Sequence, residues 1–233
     1  MTSTAEINTD VPVIAIDGPG GSGKGTITTR LARHLGWHFL DSGALYRLTA
    51  LAAIKKPADL YNEAELGEIA ANLVIRFETT PDGVVSLLDE QDVSKRMRHE
   101  DIGAVASKIA AVPAVRAALA SRQRQFRQFP GLVADGRDMG TIIFPDAKLK
   151  VFLTASAQIR AERRYKQLKD KGESVNLTRL FREIKARDLR DQTRSIAPLR
   201  PAEDAVTIDS TNLNIDEVFE KVLSLVCIRG LSR

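Results

Sequence analysis

The sequence predicts an α/β fold: a central, mostly parallel sheet with helices packed on it in three layers. Three observations carry that reading. Short apolar runs of strand length alternate with longer stretches of helical periodicity along most of the chain. A glycine-rich loop follows the first apolar run and opens the first helix. Several runs also end in aspartate, where the carboxyl ends of parallel strands open onto a ligand crevice.

Val13 to Ile16 reads as the first strand, ending at Asp17. Lys24 to Leu35 follows as a helix, with Ile27, Leu31 and Leu35 near helical spacing. Trp37 to Leu40 is the second strand and Ala44 to Lys55 the second helix. The rhythm then changes. A helix around Glu63 to Leu73 precedes two short β-like runs, Val74 to Glu78 and Val84 to Leu88, with the turn Pro81-Asp82-Gly83 between them. This segment reads as an insertion. The alternation resumes with a helix over Pro113 to Gln128, proline at its start. Leu132 to Ala134, ending at Asp135, and Leu149 to Leu153 are strands. Ile159 to Lys171 and Leu177 to Asp188 are basic helices, the second with an apolar stripe of Leu177, Leu180, Phe181 and Ile184 assigned to core packing. Ala205 to Ile208 is a last strand, and Ile215 to Ile228 a closing helix capped by Asn214.

A chain of 233 residues can bury a core without staples. Its 43% hydrophobic and 27% charged residues are ordinary globular usage, which excludes disordered and low-complexity classes. One cysteine, Cys227, excludes an intramolecular disulfide, and three histidines leave little for a metal centre. Trp37 and Cys227 are assigned to packing. No apolar run reaches the roughly 18 residues needed to span a bilayer. Residues 1–10 are polar and free of Lys and Arg, and are expected to be a disordered tail rather than a targeting segment. A cytoplasmic protein is expected. The net charge of +4 is unevenly spread: Ser156 to Arg200 holds 13 Lys/Arg against 6 Asp/Glu, a net of +7, leaving −3 for the rest. That concentration suits an anionic ligand.

The loop Gly18-Pro19-Gly20-Gly21-Ser22-Gly23-Lys24-Gly25-Thr26 has the make-up of a phosphate-binding loop (P-loop). Glycines allow backbone N–H groups to surround phosphate oxygens, the helix N-terminus adds its dipole, and a lysine reaches the β- and γ-phosphates. Gly18, Gly20 and Gly23 also satisfy a dinucleotide fingerprint, with Asp41 near its ribose-binding position. A dehydrogenase loop has no need of Gly-Lys-Gly-Thr after its third glycine. The position after Lys24, where a Mg²⁺-binding hydroxyl is usual, is Gly25, and Thr26 comes one step later, which leaves direct metal ligation by the loop open.

A second constellation lies at two other strand ends. Asp41-Ser42-Gly43 is followed one turn later by Tyr46 and Arg47, and Asp135-Gly136-Arg137-Asp138-Met139-Gly140 follows the third strand. Two Asp and one Arg within four residues exceed what a turn requires.

With Asp41 to Arg47, Gly131 to Gly140 and Arg187-Asp188 through Arg194, the chain resembles bacterial cytidylate kinases, nucleoside-monophosphate kinases with a P-loop, from Val13 to about Asp216. The resemblance implies a core over 11–42 and 114–233, a monophosphate-binding insertion over 43–113 and a mobile lid over 158–176. It implies transfer of the γ-phosphoryl of ATP to CMP or dCMP, with Mg²⁺. The P-loop would hold ATP. Ser42, Arg47 and Arg137 would hold the CMP phosphate, Ser107, Arg116 and Asp138 the base, and Asp191 and Arg194 the ribose. Lys24, Arg137 and Arg187 would form the catalytic positive clamp, and the lid would bring Arg160, Arg163, Arg164 and Lys166 toward the ATP phosphates, with Arg160 and Arg164 on one helix face.

Other classes fit less well. A P-loop GTPase would need a guanine-reading Asn/Thr-Lys-x-Asp segment, which is absent from the sequence. A nucleic-acid binder would need stacking platforms, and aromatics are only 5%. Kinases acting on UMP, AMP or shikimate remain the serious alternatives, differing only at the acceptor site. The expected partners are small nucleotides, with no nucleic acid or membrane, and the expected state is a monomer.

Overall fold

The first strand, β1 (Val13–Asp17), is buried along its whole length, as its unbroken apolar run requires of a central parallel strand. The computed structural model describes residues 10–80, 83–170 and 172–232. The expectations for residues 1–9, for Pro81-Asp82 and for Lys171 lie outside the described residues. Two compact units emerge: one runs up to Asp41 and resumes at Gln123, the other is Ser42–Arg122.

In the first unit, β1, β2 (His38–Asp41), β6 (Leu132–Gly136), β7 (Leu149–Thr154) and β8 (Val206–Asp209) form a five-stranded sheet in the order β2-β6-β1-β7-β8. Every pairing is parallel. The register sets Asp41 opposite Asp135 and Asp17 opposite Gly136, so the carboxylates converge at the carboxyl ends of neighbouring strands. Helices flank the sheet. Ile27 and Leu31 of α1 (Lys24–Leu35) and Val218, Phe219 and Val222 of α8 (Ile215–Ile228) join Ile14, Ile16, Val133 and Val151 in one buried cluster. Trp37 packs against that cluster half-buried, over Gly131, where a Cβ would fall 2.4 Å from its ring.

Two further helices belong to this unit, α6 (Ala157–Asp170) and α7 (Leu177–Thr193). α7 is capped by Asn176, whose side chain accepts from Arg179 N, and it extends five residues beyond the expected end at Asp188. That extension puts Asp191 on the helix, one turn after Arg187. Of the expected apolar stripe only Leu180 is fully buried, while Leu177, Phe181 and Ile184 are half-covered. Cys227 is exposed, which corrects its assignment to packing.

The second unit comprises α2 (Ser42–Lys55), α3 (Glu63–Ala71), the antiparallel sheet β3 (Ile75–Thr80), β4 (Gly83–Leu88) and β5 (Gln91–Asp92), α4 (Glu100–Ile109) and the bulk of α5 (Pro113–Arg124). α2 begins at Ser42, two residues earlier than its apolar pattern suggests. α4 was not apparent from periodicity. Its buried face is Ile102, Gly103, Ala106, Ser107 and Ile109, in a helix of only ten residues.

The closing helix α8 starts at a complete capping box. Asn214 Oδ1 accepts from Glu217 N at 3.0 Å, and Glu217 returns its carboxylate to Asn214 N at 2.8 Å. Asn214→Ala should cost about 1 kcal/mol and lower the thermal midpoint by roughly 2–4 °C. An unchanged midpoint in calorimetry would show that the box adds nothing.

Candidate active site

The glycine-rich loop leaves β1 through a passage that only glycine fits. Gly18 has φ +147°, and a Cβ there would fall 2.0 Å from Leu153 O of β7. The loop then enters α1 at Gly23, and no side chain caps that helix among the described residues. The first-turn amides and the positive end of the helix dipole therefore remain available to an anion. Ser22 Oγ is buried with no partner among the described residues.

Lys24 is buried and donates to Pro19 O at 3.0 Å, curling back over the loop. Burial, with Arg137 adding repulsion, pulls its ammonium well below the usual lysine value despite Asp135 and Asp17. Asp135 is driven the other way, first by burial and then by Asp41 opposite it in the register.

Two guanidinium groups stand beside the loop at Gly20. A Cβ on that residue would lie 3.3 Å from Arg137 Nη2 and 3.6 Å from Arg187 Nη1. Arg137 Nε donates to Asp191 Oδ2 at 2.9 Å, and Arg187 Nε lies 4.0 Å from the same oxygen. Burial works against the charge on Arg137, but Asp191 more than offsets it and lifts the guanidinium above its usual value. Burial likewise works against the Asp191 carboxylate, yet Arg137 and Arg187 hold it below its ordinary value. Arg194 Nε donates to Ala197 O within the loop after α7.

Asp17, at the end of β1, clamps the segment that follows β6. Its two carboxylate oxygens accept from Met139 N at 2.9 Å and Gly140 N at 2.8 Å. These amides open a π-helical turn, Met139–Ile143, that the sequence did not signal. The clamp fixes the backbone next to Asp138, itself buried. Burial pushes the Asp17 carboxyl up to about 6 even though both amides pull it down.

The lid candidates differ from one another. Arg160 is buried and bound to Gly20 O and Asp188, so it is not a free cation on a lid surface. Arg163 donates to Ser210 O at 2.6 Å and Leu213 O at 3.2 Å, in the loop between β8 and α8. Arg164 is half-buried.

In the second unit, Ser42 is buried at the start of α2. Arg47 Nη1 donates to Met97 O at 3.0 Å and lies 3.3 Å from His99 O. Gly103 of α4 makes room for this guanidinium, since a Cβ there would lie 3.0 Å from Arg47 Nη2. Arg116 is buried, with Nη1 3.2 Å from the Tyr46 hydroxyl and 3.3 Å from Ala110 O. Ser107 is buried on α4. Thus Ser42, Arg47, Ser107 and Arg116 share one unit, and the loop, Arg137, Asp138, Arg187, Asp191 and Arg194 share the other.

Sequence reasoning gave no role to Asp17 or Asp188 as partners of the site. For Asp17 a signal existed, since an acidic residue directly before the glycine loop at a buried strand end needs a reason. For metal, no group of three or more His, Cys, Asp or Glu suited to an ion occurs among the described residues. Mg²⁺ that arrives on phosphates needs only one or two carboxylates beside its waters. Asp135 Oδ2 lies 3.5 Å from where a Gly25 Cβ would sit, which places one carboxylate beside the loop.

A sequence profile described as cytidylate kinase matches residues 14–227. A protein of Stutzerimonas stutzeri named cytidylate kinase is 57% identical over 224 residues, covering 95% of this chain and 98% of its own. One of the same name from Aeromonas salmonicida is 57% identical, covering 91% and 93%. Another from Pseudomonas fluorescens is 55% identical, covering 97% and 100%.

The Asp17 clamp has a pH signature. Between its ordinary 3.8 and about 6, the folded chain keeps a proton that the unfolded chain has released. The unfolded state then binds fewer protons, so this group makes stability fall as pH rises through that window. Relative to Asp17→Asn, the natural protein should lose on the order of 2–3 kcal/mol of unfolding free energy between about pH 4 and about pH 6.5, read by urea unfolding. A pH-independent difference between the two would contradict the burial of that carboxylate.

Proposed function

The chain belongs to the cytidylate kinase family, and from that membership we propose that it transfers the γ-phosphoryl of ATP to CMP or dCMP, giving ADP and CDP or dCDP. The observation that carries the reading is the pair of guanidinium groups, Arg137 and Arg187, beside a phosphate-type loop and oriented by one carboxylate.

Phosphoryl transfer asks the protein for position and charge more than for covalent chemistry. Donor and acceptor are both anions, so cations must bring them together and offset the charge that develops between them. The loop amides from Gly18 to Thr26 and the N-terminus of α1 receive the ATP phosphates, and Lys24 spans the β- and γ-groups. Phosphate beside Lys24 restores the charge that burial disfavours. Arg137 and Arg187 hold the transferring group in planar, multidentate fashion. A Mg²⁺ ion bound with ATP would supply positive charge against the phosphates, and Asp135 beside the loop would be the carboxylate to hold it.

The acceptor phosphate is assigned to Ser42 and Arg47 together with Arg137, and the ribose to Asp191 and Arg194. The base is assigned to Ser107, Arg116 and Asp138. Cytosine offers an exocyclic N4 donor where uracil offers an acceptor, so a buried carboxylate favours one and repels the other. Within 158–176, the part of α6 beyond the anchored Arg160 and Arg163 is assigned to a lid that excludes water, with Arg164 its phosphate contact.

ADP formation from Mg-ATP should be strong with CMP and dCMP, weaker with UMP and AMP, and slow with no acceptor. Comparable rates with all acceptors would sink the proposed specificity, and fast hydrolysis without one would sink the gated lid. Asp138→Ala should reduce the CMP-over-UMP ratio of kcat/KM by about tenfold or more. If the ratio is unchanged in that variant, Asp138 does not read the base.

A further inference from the structure

Arg160 sits on a basic helix among exposed charges, yet it is only 4% exposed. Its guanidinium is bound mostly by protein. Nε donates to Ala155 O at 2.9 Å, just past the end of β7. Nη1 donates to Gly20 O at 3.0 Å and to Asp188 Oδ1 at 3.0 Å, and Nη2 donates to Asp188 Oδ2 at 2.5 Å. Four of five N–H donors are thus committed to the sheet end, the phosphate-type loop and α7. Its aliphatic stem also packs on the loop, because a Cβ at Gly21 would lie 3.3 Å from Arg160 Cβ.

We propose that Arg160 is a positioning residue, a strut that fastens α7 to the loop through Asp188 and thereby sets Arg187 and Arg137 beside Gly20. Asp188 adjoins Arg187 in sequence and lies three residues before Asp191 on the same helix. A bidentate fork on Asp188 fixes both the height and the rotation of that helix segment. The fixed segment carries Arg187 directly and Arg137 through Asp191. Lysine cannot replace the fork, since an ammonium offers a point charge and no planar pair of donors. Supporting contacts of this kind matter because a displacement of about 1 Å at reacting groups can cost about 100-fold in rate.

The catalytic consequence rests on the kinase reading, but the coupling itself does not. The test compares full-length Arg160→Lys, Asp188→Asn and the double variant in kcat, KM for CMP, calorimetric ATP affinity and amide exchange of the loop. Each single variant should lose about 10- to 100-fold in kcat, with KM for CMP changed less than about threefold. The double variant should be no worse than the worse single, because one interaction is removed in all three. Exchange of the loop amides should accelerate similarly in both singles. Where Asp188→Asn does not fold, Asp188→Glu, which keeps the charge but shifts the carboxylate, is read in its place.

Multiplying losses, or a fully active folded Asp188 variant, overturn the strut. So does an ATP affinity that falls about tenfold more in Arg160→Lys than in the Asp188 variant, which would make Arg160 a direct ATP ligand. If the natural protein does not phosphorylate CMP, the kinase reading fails instead. The strut is then judged on ATP affinity and amide exchange: equal effects in the two singles uphold it and unequal effects overturn it.

Discussion

Burying cations before any anion has arrived is the constraint on which the arrangement of this molecule depends. An uncompensated charge inside a protein costs several kcal/mol, so each buried cation needs a carboxylate or a ligand. Asp191 meets that need for Arg137 and faces Arg187. Lys24 is compensated less well: burial and the neighbouring Arg137 outweigh Asp135 and Asp17. The arginines are therefore held charged and in place, while the lysine gains most from an incoming phosphate. This is preorganisation of the kind that phosphoryl transfer uses, with charge set where charge will develop.

The sheet topology supplies the carboxylates. Because β6 lies between β1 and β2, Asp17, Asp41 and Asp135 end three adjacent strands. Two of them face compensating groups: two backbone amides for Asp17, Lys24 and Arg137 for Asp135. The extended α7 brings the opposing set, Arg187, Asp188 and Asp191, on a single helix. Strand ends and one helix thus meet at the glycine-rich loop.

The fold was largely legible because the central strands β1 and β6 are apolar runs that close on Asp17 and Asp135-Gly136, and α1 and α8 begin and end as their patterns indicate. The loop was legible because nine residues with five glycines and a lysine have few other uses. What escaped has physical causes. α4 is only ten residues long, and its buried face rests on Ile102, Ala106 and Ile109 with Gly103 and Ser107 beside them. The clamp of Asp17 on Met139 and Gly140 spans more than 120 positions and uses backbone donors, which have no residue code. The fate of Arg160 also escaped, because a basic helix reads the same whether an arginine points to solvent or forks onto Asp188.

The claim that Lys24 is kept undercompensated until phosphate arrives is tested most directly by proton uptake. Mg-free ATP would be titrated calorimetrically into the natural protein near pH 8, in buffers of different ionisation enthalpy. The account predicts net uptake of protons on binding, reduced by more than about half in Lys24→Arg, whose guanidinium is always charged. Binding with no uptake, or with the same uptake in Lys24→Arg, would contradict it.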